Sequence, residues 1–376
     1  MKKEHAPFIL AFAVVVLYTA CSTWMAHSTP MQREAWRQSP QYSDGTFRNA
    51  VEWQSLSFWQ GLRLLPEFFF GGQERTPEGP LPRQQVDLTD FERAERNQLN
   101  ATWLGHSSLL LNIDGFRLLS DPVFDKRVSV LGPSRYNGAV PLQIAQLPSV
   151  DVVLISHDHY DHLNKSSIKE LNEKTSHFVV ALGVGARLAA WGIPHAKIRE
   201  LDWWQELRIN EDLTIVSTPA QHFSGRGLTD RNKTLWTSWV LNGPNHRVYI
   251  SGDSGYFDGF SEIGRRYGPF HMTFIECGAY DERWRHVHMF PEESVQAHID
   301  LRGEVLHPIH WGTLNLALHS WYEPMQRLRV AADAAGIQAA TPIVGQTTVY
   351  GESIPQTTWW EDEMHGTDGS DTHRHE

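Results

Sequence analysis

Three histidines and two aspartates fall within six residues in the segment Ser156-His157-Asp158-His159-Tyr160-Asp161-His162-Leu163. Imidazole and carboxylate together form the ligand set of zinc and its neighbours. His157 and His159 are two apart, so on extended backbone they project the same way and can converge on one ion. A helix beginning at about Tyr160 would turn Asp161 and His162 back across the same cavity, toward a second ion. The rival is a polar strand-to-helix turn that caps a helix and binds nothing. Against it, these groups would desolvate one another at a cost that a metal relieves.

Such a cluster needs strands to present it. Val152-Val153-Leu154-Ile155, just upstream, reads as a buried strand. Thr214-Ile215-Val216-Ser217 is a second β run, and His222 behind it is a candidate third imidazole for the first ion. Arg247-Val248-Tyr249-Ile250 leads into Ser251-Gly252-Asp253-Ser254-Gly255, where the glycines allow a tight turn and close backbone approach. Asp253 at that tip can bridge both ions. The run through Val305 and Leu306 ends at His310, which would complete the second ion. Singly, a histidine after a strand is more often a hydrogen-bonded loop residue. Four strand-end motifs in one chain point to a shared centre.

Two zinc ions would lower the pKa of a shared water, so that hydroxide exists at neutral pH. Asp161, Asp253 and one hydroxide would offset three of the four positive charges. The residual charge near plus one suits a phosphodiester monoanion, attacked in line by the bridging hydroxide. Asp161 can also orient the hydroxide and carry its proton. His288 lies just before Pro291-Glu292-Glu293, which reads as a helix start with proline in the first turn. It can donate to a phosphate oxygen or protonate the leaving group, or it is an exposed loop histidine. His106 reads as a structural or supporting residue. Arg226 is either a phosphate partner or a surface arginine.

The ordered segments Thr102–Ser108, Ser120–Phe124, Leu154–Leu163, Gln221–Phe223, Asn232–Trp236, Gly252–Tyr256, Gly278–Tyr280 and Ile309–Thr313 resemble the metallo-β-lactamase fold superfamily. Within it they resemble N-acylphosphatidylethanolamine-hydrolysing phospholipase D and its bacterial relatives, over roughly residues 95 to 350. The resemblance implies one zinc on His157, His159 and His222, another on Asp161, His162 and His310, and Asp253 between them. It implies a four-layer αββα sandwich, where pattern alone says only mixed α and β. The implied activity is hydrolysis of N-acylphosphatidylethanolamine to phosphatidate and an N-acylethanolamine. The chain departs from the animal enzymes in having Ser129 and Val130 in place of a polar-aromatic pair, and in the segment around His286-Val287-His288. A lactonase or other carboxyl-ester hydrolase of the same fold is the alternative. A non-catalytic zinc-binding envelope protein is another.

The ligands, His157 to His310, span about 150 of the 376 residues and must share one domain. A hydrolase domain is placed at 96–358, behind an N-terminal extension at 28–95 that packs on it. Residues 1–27 combine Lys2 and Lys3 with an uncharged stretch, the pattern of an export signal or anchor. Leu17-Tyr18-Thr19-Ala20-Cys21 resembles a lipoprotein cleavage site. Either reading puts the domain at a bacterial membrane surface, near a phospholipid substrate. Trp53, Leu56, Phe58, Trp59, Leu62 and Leu65 fall at roughly helical spacing, with Pro66 ending the pattern. They form a helix packed on the domain or a segment lying in the bilayer surface. Residues 359–376, acidic and with His365, His373 and His375, read as a disordered tail. With Cys21 lipidated, Cys277 has no disulfide partner. A net charge of −11 argues against a nucleic-acid partner.

Overall fold

The computed structural model describes residues 27–364 except 54–57, 72, 73 and 131. The lipoprotein-like segment and the tail histidines therefore lie outside the described residues. Among those described, no helix is long and apolar enough to cross a membrane.

Two seven-stranded sheets carry the fold. In the first the spatial order is Thr347–Val349, Leu99–Trp103, Leu109–Ile113, Phe116–Ser120, Val150–Ile155, Thr175–Ala181, Ile198–Leu201. In the second it is Gln338–Ala339, Gly303–Ile309, Phe270–Glu276, Arg247–Ile250, Ser238–Asn242, Thr214–Thr218, Glu206–Arg208. Each sheet is antiparallel on one side and parallel on the other, the change falling at Phe116–Ser120 in the first and Arg247–Ile250 in the second. The parallel strands point their C-terminal ends the same way, and that is where loops can gather ligands.

Side-chain alternation explains the layering. Val152 and Leu154 join a core shared with Ile250, Phe274 and Leu306 of the second sheet. Val153 and Ile155 face the other way, against Ile168 and Leu171 of helix Lys165–Leu171 and Leu188 of helix Val184–Ala190. A strand buried on both faces reads as a continuous apolar run, as this one does. Helices Gly259–Tyr267, Pro291–Leu301 and Glu323–Ala335 cover the outer face of the second sheet through Phe260, Ile263, Leu301, Met325 and Leu328. The result is the expected four-layer αββα sandwich, of mixed α and β class.

Three local expectations change. The HDHYDH segment is a turn rather than a helix start: His162 and Leu163 both donate backbone N–H bonds to the His159 carbonyl, at 3.2 and 2.8 Å. The helix begins at Lys165 because Asn164 caps it, accepting from Ser167 N at 2.9 Å. Helix Phe58–Phe70 runs through Pro66 instead of stopping there. The tail boundary also moves. Trp359–Met364 is a helix with Trp359 and Trp360 buried against Trp311, since two indole rings gain too much from burial to stay in solvent.

The extension also reaches into the core. Trp36 and Phe47 are buried, and Trp36 Nε1 donates to Glu200 Oε2 at 3.2 Å.

Candidate metal centre

Five strand ends meet at one point. His106 follows Leu99–Trp103, the HDHYDH turn follows Val150–Ile155, and His222 follows Thr214–Thr218. Asp253 follows Arg247–Ile250, and His310 follows Gly303–Ile309. Gly252 permits the approach of the Asp253 turn: its φ is +57°, and a Cβ there would fall 2.7 Å from Ser156 Cβ. His106 and His310 hold left-handed backbone, φ 55° and 67°, tied together by a bond from His310 N to the His106 carbonyl at 3.1 Å. Such conformations cost roughly 1–3 kcal/mol each and persist where surrounding structure fixes them.

Among the described residues two groups of four result, His157, His159, His222 with Asp253, and His106, Asp161, His162 with His310, and a third group joins His288 to Asp253 and His310. In the first, His159 Nδ1 lies 2.9 Å from His157 Nε2 and 3.2 Å from His222 Nε2. Asp253 Oδ2 is 3.8 Å from His157 Nε2 and 3.6 Å from His222 Nε2. In the second, Asp161 Oδ2 lies 3.5 Å from both His162 Nε2 and His310 Nε2. Asp253 faces this group too, Oδ1 at 3.1 Å from His162 Nε2 and Oδ2 at 3.2 Å from His310 Nε2. All seven expected ligands are therefore gathered, with the Asp253 carboxylate between the two sets.

Outer hydrogen bonds fix which nitrogen each ring presents. His222 Nδ1 donates to the Val287 carbonyl at 2.9 Å, leaving Nε2 for the cluster. Ser156 Oγ donates to Asp121 Oδ2 at 2.6 Å and so accepts from His157 Nδ1 at 3.0 Å. His162 Nδ1 donates to the same Asp121 oxygen at 2.8 Å. From the extension, Asn49 brackets the His222 backbone, donating to its carbonyl at 2.7 Å and accepting from its N–H at 3.0 Å.

The donor set fits divalent metal. His162 Nε2, His310 Nε2 and Asp253 Oδ1 are buried and make no hydrogen bond, although they crowd one another. Buried polar atoms of this kind need a partner. Electrostatics agree. Burial works against charge on Asp253 and Asp161, yet neighbouring His162 and His310 or His106 hold both carboxyls well below the usual range. Burial likewise opposes charge on His162 and His310, but Asp253 and Asp161 push His310 up to about 10 and His162 well above its usual value. The two buried carboxylates thus demand positive charge beside them. Burial takes His157 and His222 well below the ordinary imidazole range, leaving neutral donors.

His288 lines the same cleft and donates from Nδ1 to Glu276 Oε2 at 2.8 Å. Burial raises the Glu276 carboxyl, with His288 opposing. His106 Nε2 bonds Asp161 Oδ2 at 2.9 Å, a supporting position beside the cluster, and burial lowers its pKa to about 3. Arg226 is turned away from the cleft. It donates to the Asp158 and Leu163 carbonyls at 2.7 and 2.8 Å and covers the Tyr160 ring at 3.8 Å. Asp158, inside the motif, is not a cluster member. It pairs with Arg187 at 2.6 Å, and Arg187 also holds Asp230 at 2.6 Å.

Sequence reasoning assigned no role to Asp121 or Glu276. Both are acids at strand ends, and only the packing shows which imidazoles they meet. The cleft above the cluster measures about 450 Å³, and its walls include Trp53, Leu64, Phe68, Phe223, Trp284 and Leu316. Of the aromatic stripe in the extension, Trp53 faces this cleft and Trp59 is 69% exposed. Leu56 lies outside the described residues.

A β-lactamase superfamily domain matches residues 116–311. An uncharacterized protein of Mycobacterium tuberculosis is 42% identical over 361 residues, 91% of this chain and 95% of its own length. N-acyl-phosphatidylethanolamine-hydrolyzing phospholipase D 1 of Caenorhabditis elegans is 36% identical over 334 residues, covering 82% of this chain and 92% of that protein. Igni18, a metallo hydrolase from the archaeon Ignicoccus hospitalis, shares the fold with a TM-score of 0.52 at 21% identity, over 68% of this chain and 99% of its own. With the domain match spanning more than half of the sequence and the imidazole–carboxylate cluster at its strand ends, the chain belongs to the β-lactamase superfamily and is a metal-dependent hydrolase.

Proposed function

We propose that this chain is a phosphodiesterase of phospholipase D type that works with two zinc ions. His157, His159 and His222 would hold one, Asp161, His162 and His310 the other, and Asp253 both. The observation carrying this reading is the Asp253 carboxylate, whose oxygens face His162 at 3.1 Å and His310 at 3.2 Å on one side and His222 at 3.6 Å on the other. When bound, the ions supply Lewis acidity and an activated water.

The chain's own residues then divide the work. Asp161, beside His162 and His310, is placed to orient the attacking water and take its proton. His288 stands within 5.3 Å of the His310 ring, its Nδ1–H fixed on Glu276. With both ring nitrogens protonated, Nε2–H would be the group placed to donate to a phosphate oxygen or to the departing alcohol. The apolar walls exclude water and suit acyl chains. We infer an N-acylphosphatidylethanolamine-like phospholipid as substrate, giving phosphatidate and an N-acylethanolamine, because the nematode relative bears that activity in its name. The N-terminal segment 1–27 would keep the enzyme at a bacterial membrane, as a lipoprotein on Cys21 or by an anchor.

The direct test assays one zinc-loaded preparation on a phospholipid diester and on a lactone or carboxyl ester, with zinc counted per chain. Diester cleavage releasing phosphatidate is expected, and Asp253→Ala should lose metal and at least roughly a thousandfold in kcat/KM. Cleavage of the carboxyl ester alone overturns the substrate class. Full metal and full activity in Asp253→Ala overturns the centre.

A further inference from the structure

Among the described residues lining the cleft, Arg231 is the one lysine or arginine. Its guanidinium lies over the Phe223 ring at 4.6 Å, and that ring in turn meets His159 at 4.6 Å and His222 at 4.7 Å. The cation therefore stands one aromatic ring away from the first ligand group. Nearby arginines are occupied. Arg283 pairs with Glu67 and Asp281, Arg75 donates to the Phe68 and Ala317 carbonyls, and Arg226 holds the Asp158 and Leu163 carbonyls. Among the described residues no acidic side chain pairs with Arg231.

The loop that carries it is built rather than slack. Asp230 accepts from Gly227 N at 2.8 Å and Arg226 N at 3.1 Å, and takes Arg187 at 2.6 Å. Asn232 N donates to the Ser224 carbonyl at 3.0 Å, closing the loop. Asp230, the adjacent acid that would be the easiest partner, is thus turned inward and committed. Arg231 is left to solvent and the cleft.

Charge gives this placement a meaning. With two divalent ions held by the cluster, its two carboxylates and one hydroxide would leave a charge that balances a phosphodiester monoanion. The charge on Arg231 is surplus to that balance, and the Phe223 ring stands between it and His159 and His222. We propose that Arg231 sets substrate specificity by binding a second oxyanion, of carboxylate or phosphate class, carried on the substrate one ring's width from the phosphodiester. This rests on the phosphodiesterase reading above and narrows its substrate: N-acylphosphatidylethanolamine itself has no second oxyanion, so an N-acylated headgroup bearing one is preferred over it. A planar guanidinium stacked on an aromatic ring keeps its edge donors free for bidentate capture of such a group.

The test uses the zinc-loaded full chain and short-chain, monomeric N-acylated phospholipids that differ only in a headgroup carboxylate. Wild type should favour the carboxylate-bearing diester by about tenfold in kcat/KM, through KM. Arg231→Ala should bring that ratio to about one by raising KM for the carboxylate-bearing diester, and Arg231→Lys should keep part of it. Calorimetric Kd values for non-hydrolysable phosphonate analogues of the pair give a readout independent of turnover. A Kd ratio near one in wild type, or a ratio unchanged in Arg231→Ala, overturns the assignment even if diesters are cleaved. A Kd ratio lost in Arg231→Ala, with no diester cleaved at all, supports Arg231 and overturns the proposed reaction instead. If Arg231→Ala alters only the response to anionic lipid in vesicles, and not the monomeric pair, the cation serves the membrane surface and the proposal fails.

Discussion

Asp121 Oδ2 lies 2.8 Å from His162 Nδ1, and both groups are fully buried. The same oxygen takes the Ser156 hydroxyl at 2.6 Å, and Oδ1 takes Ser156 N at 2.8 Å. One carboxylate therefore orients His162 directly and His157 through Ser156, one imidazole for each proposed ion. Asp121→Ala should lower zinc affinity by roughly 10- to 100-fold, because carboxylates behind ligating histidines typically contribute that much. Competition against a coloured chelator measures it. An unchanged affinity would mean that the turn holds its own geometry without Asp121.

Metal uptake should release protons. Burial opposes charge on both rings, but Asp253 and Asp161 push His310 up to about 10 and His162 well above its usual range, so the metal-free protein favours protonation of these rings. A cation needs their lone pairs and must displace those protons. Zinc affinity should therefore rise as pH increases from 6 to 8. Titration calorimetry in buffers of different ionisation enthalpy counts the protons. An affinity independent of pH contradicts this electrostatic reading.

His288 and Glu276 form a pair beside the cluster, 2.8 Å apart. His288→Ala should reduce kcat on the diester by roughly 10²–10⁴, the usual contribution of a positioned acid or base, with zinc content unchanged. Glu276→Gln should act in the same direction and less strongly. Loss of zinc in His288→Ala would instead make it a ligand, and unchanged kcat would make it a bystander.

The extension should bring a pH-dependent stability. Glu200 accepts from Trp36 Nε1, Gly183 N and Gly185 N, and burial pushes its carboxyl up from 4.5 to about 7. A carboxyl raised in the folded state contributes stability that is full below its unfolded pKa and lost as pH rises through the folded one. Wild-type unfolding free energy should thus fall between about pH 4.5 and 7, by on the order of 1–3 kcal/mol. Glu200→Gln should flatten that slope in denaturant titrations. An equal slope in both proteins places the titrating group elsewhere.

Much of the centre was legible before any packing was known, because each ligand closes a recognisable apolar run. Ile155 precedes the HDHYDH turn, Ile250 precedes Asp253 and Ile309 precedes His310. The same reasoning misplaced the helix after Tyr160, since the Asn164 cap was read past, and let the helix end at Pro66. It also gave Trp359 and Trp360 to a disordered tail, because acidic composition downstream outweighed two indoles whose partner Trp311 is 48 residues away in the chain.

Residue type and alternation by themselves determined which side chains could bind metal and that the supporting strands must be buried, since both are local properties of the chain. Only the tertiary structure decided that Asp253 stands between two sets of imidazoles, that Asp121 and Glu276 back them, that Arg226 faces away and that Arg231 faces in. Those facts depend on which strand ends become neighbours and where each loop turns its side chains. Contacts between distant segments fix both, and no local pattern encodes them.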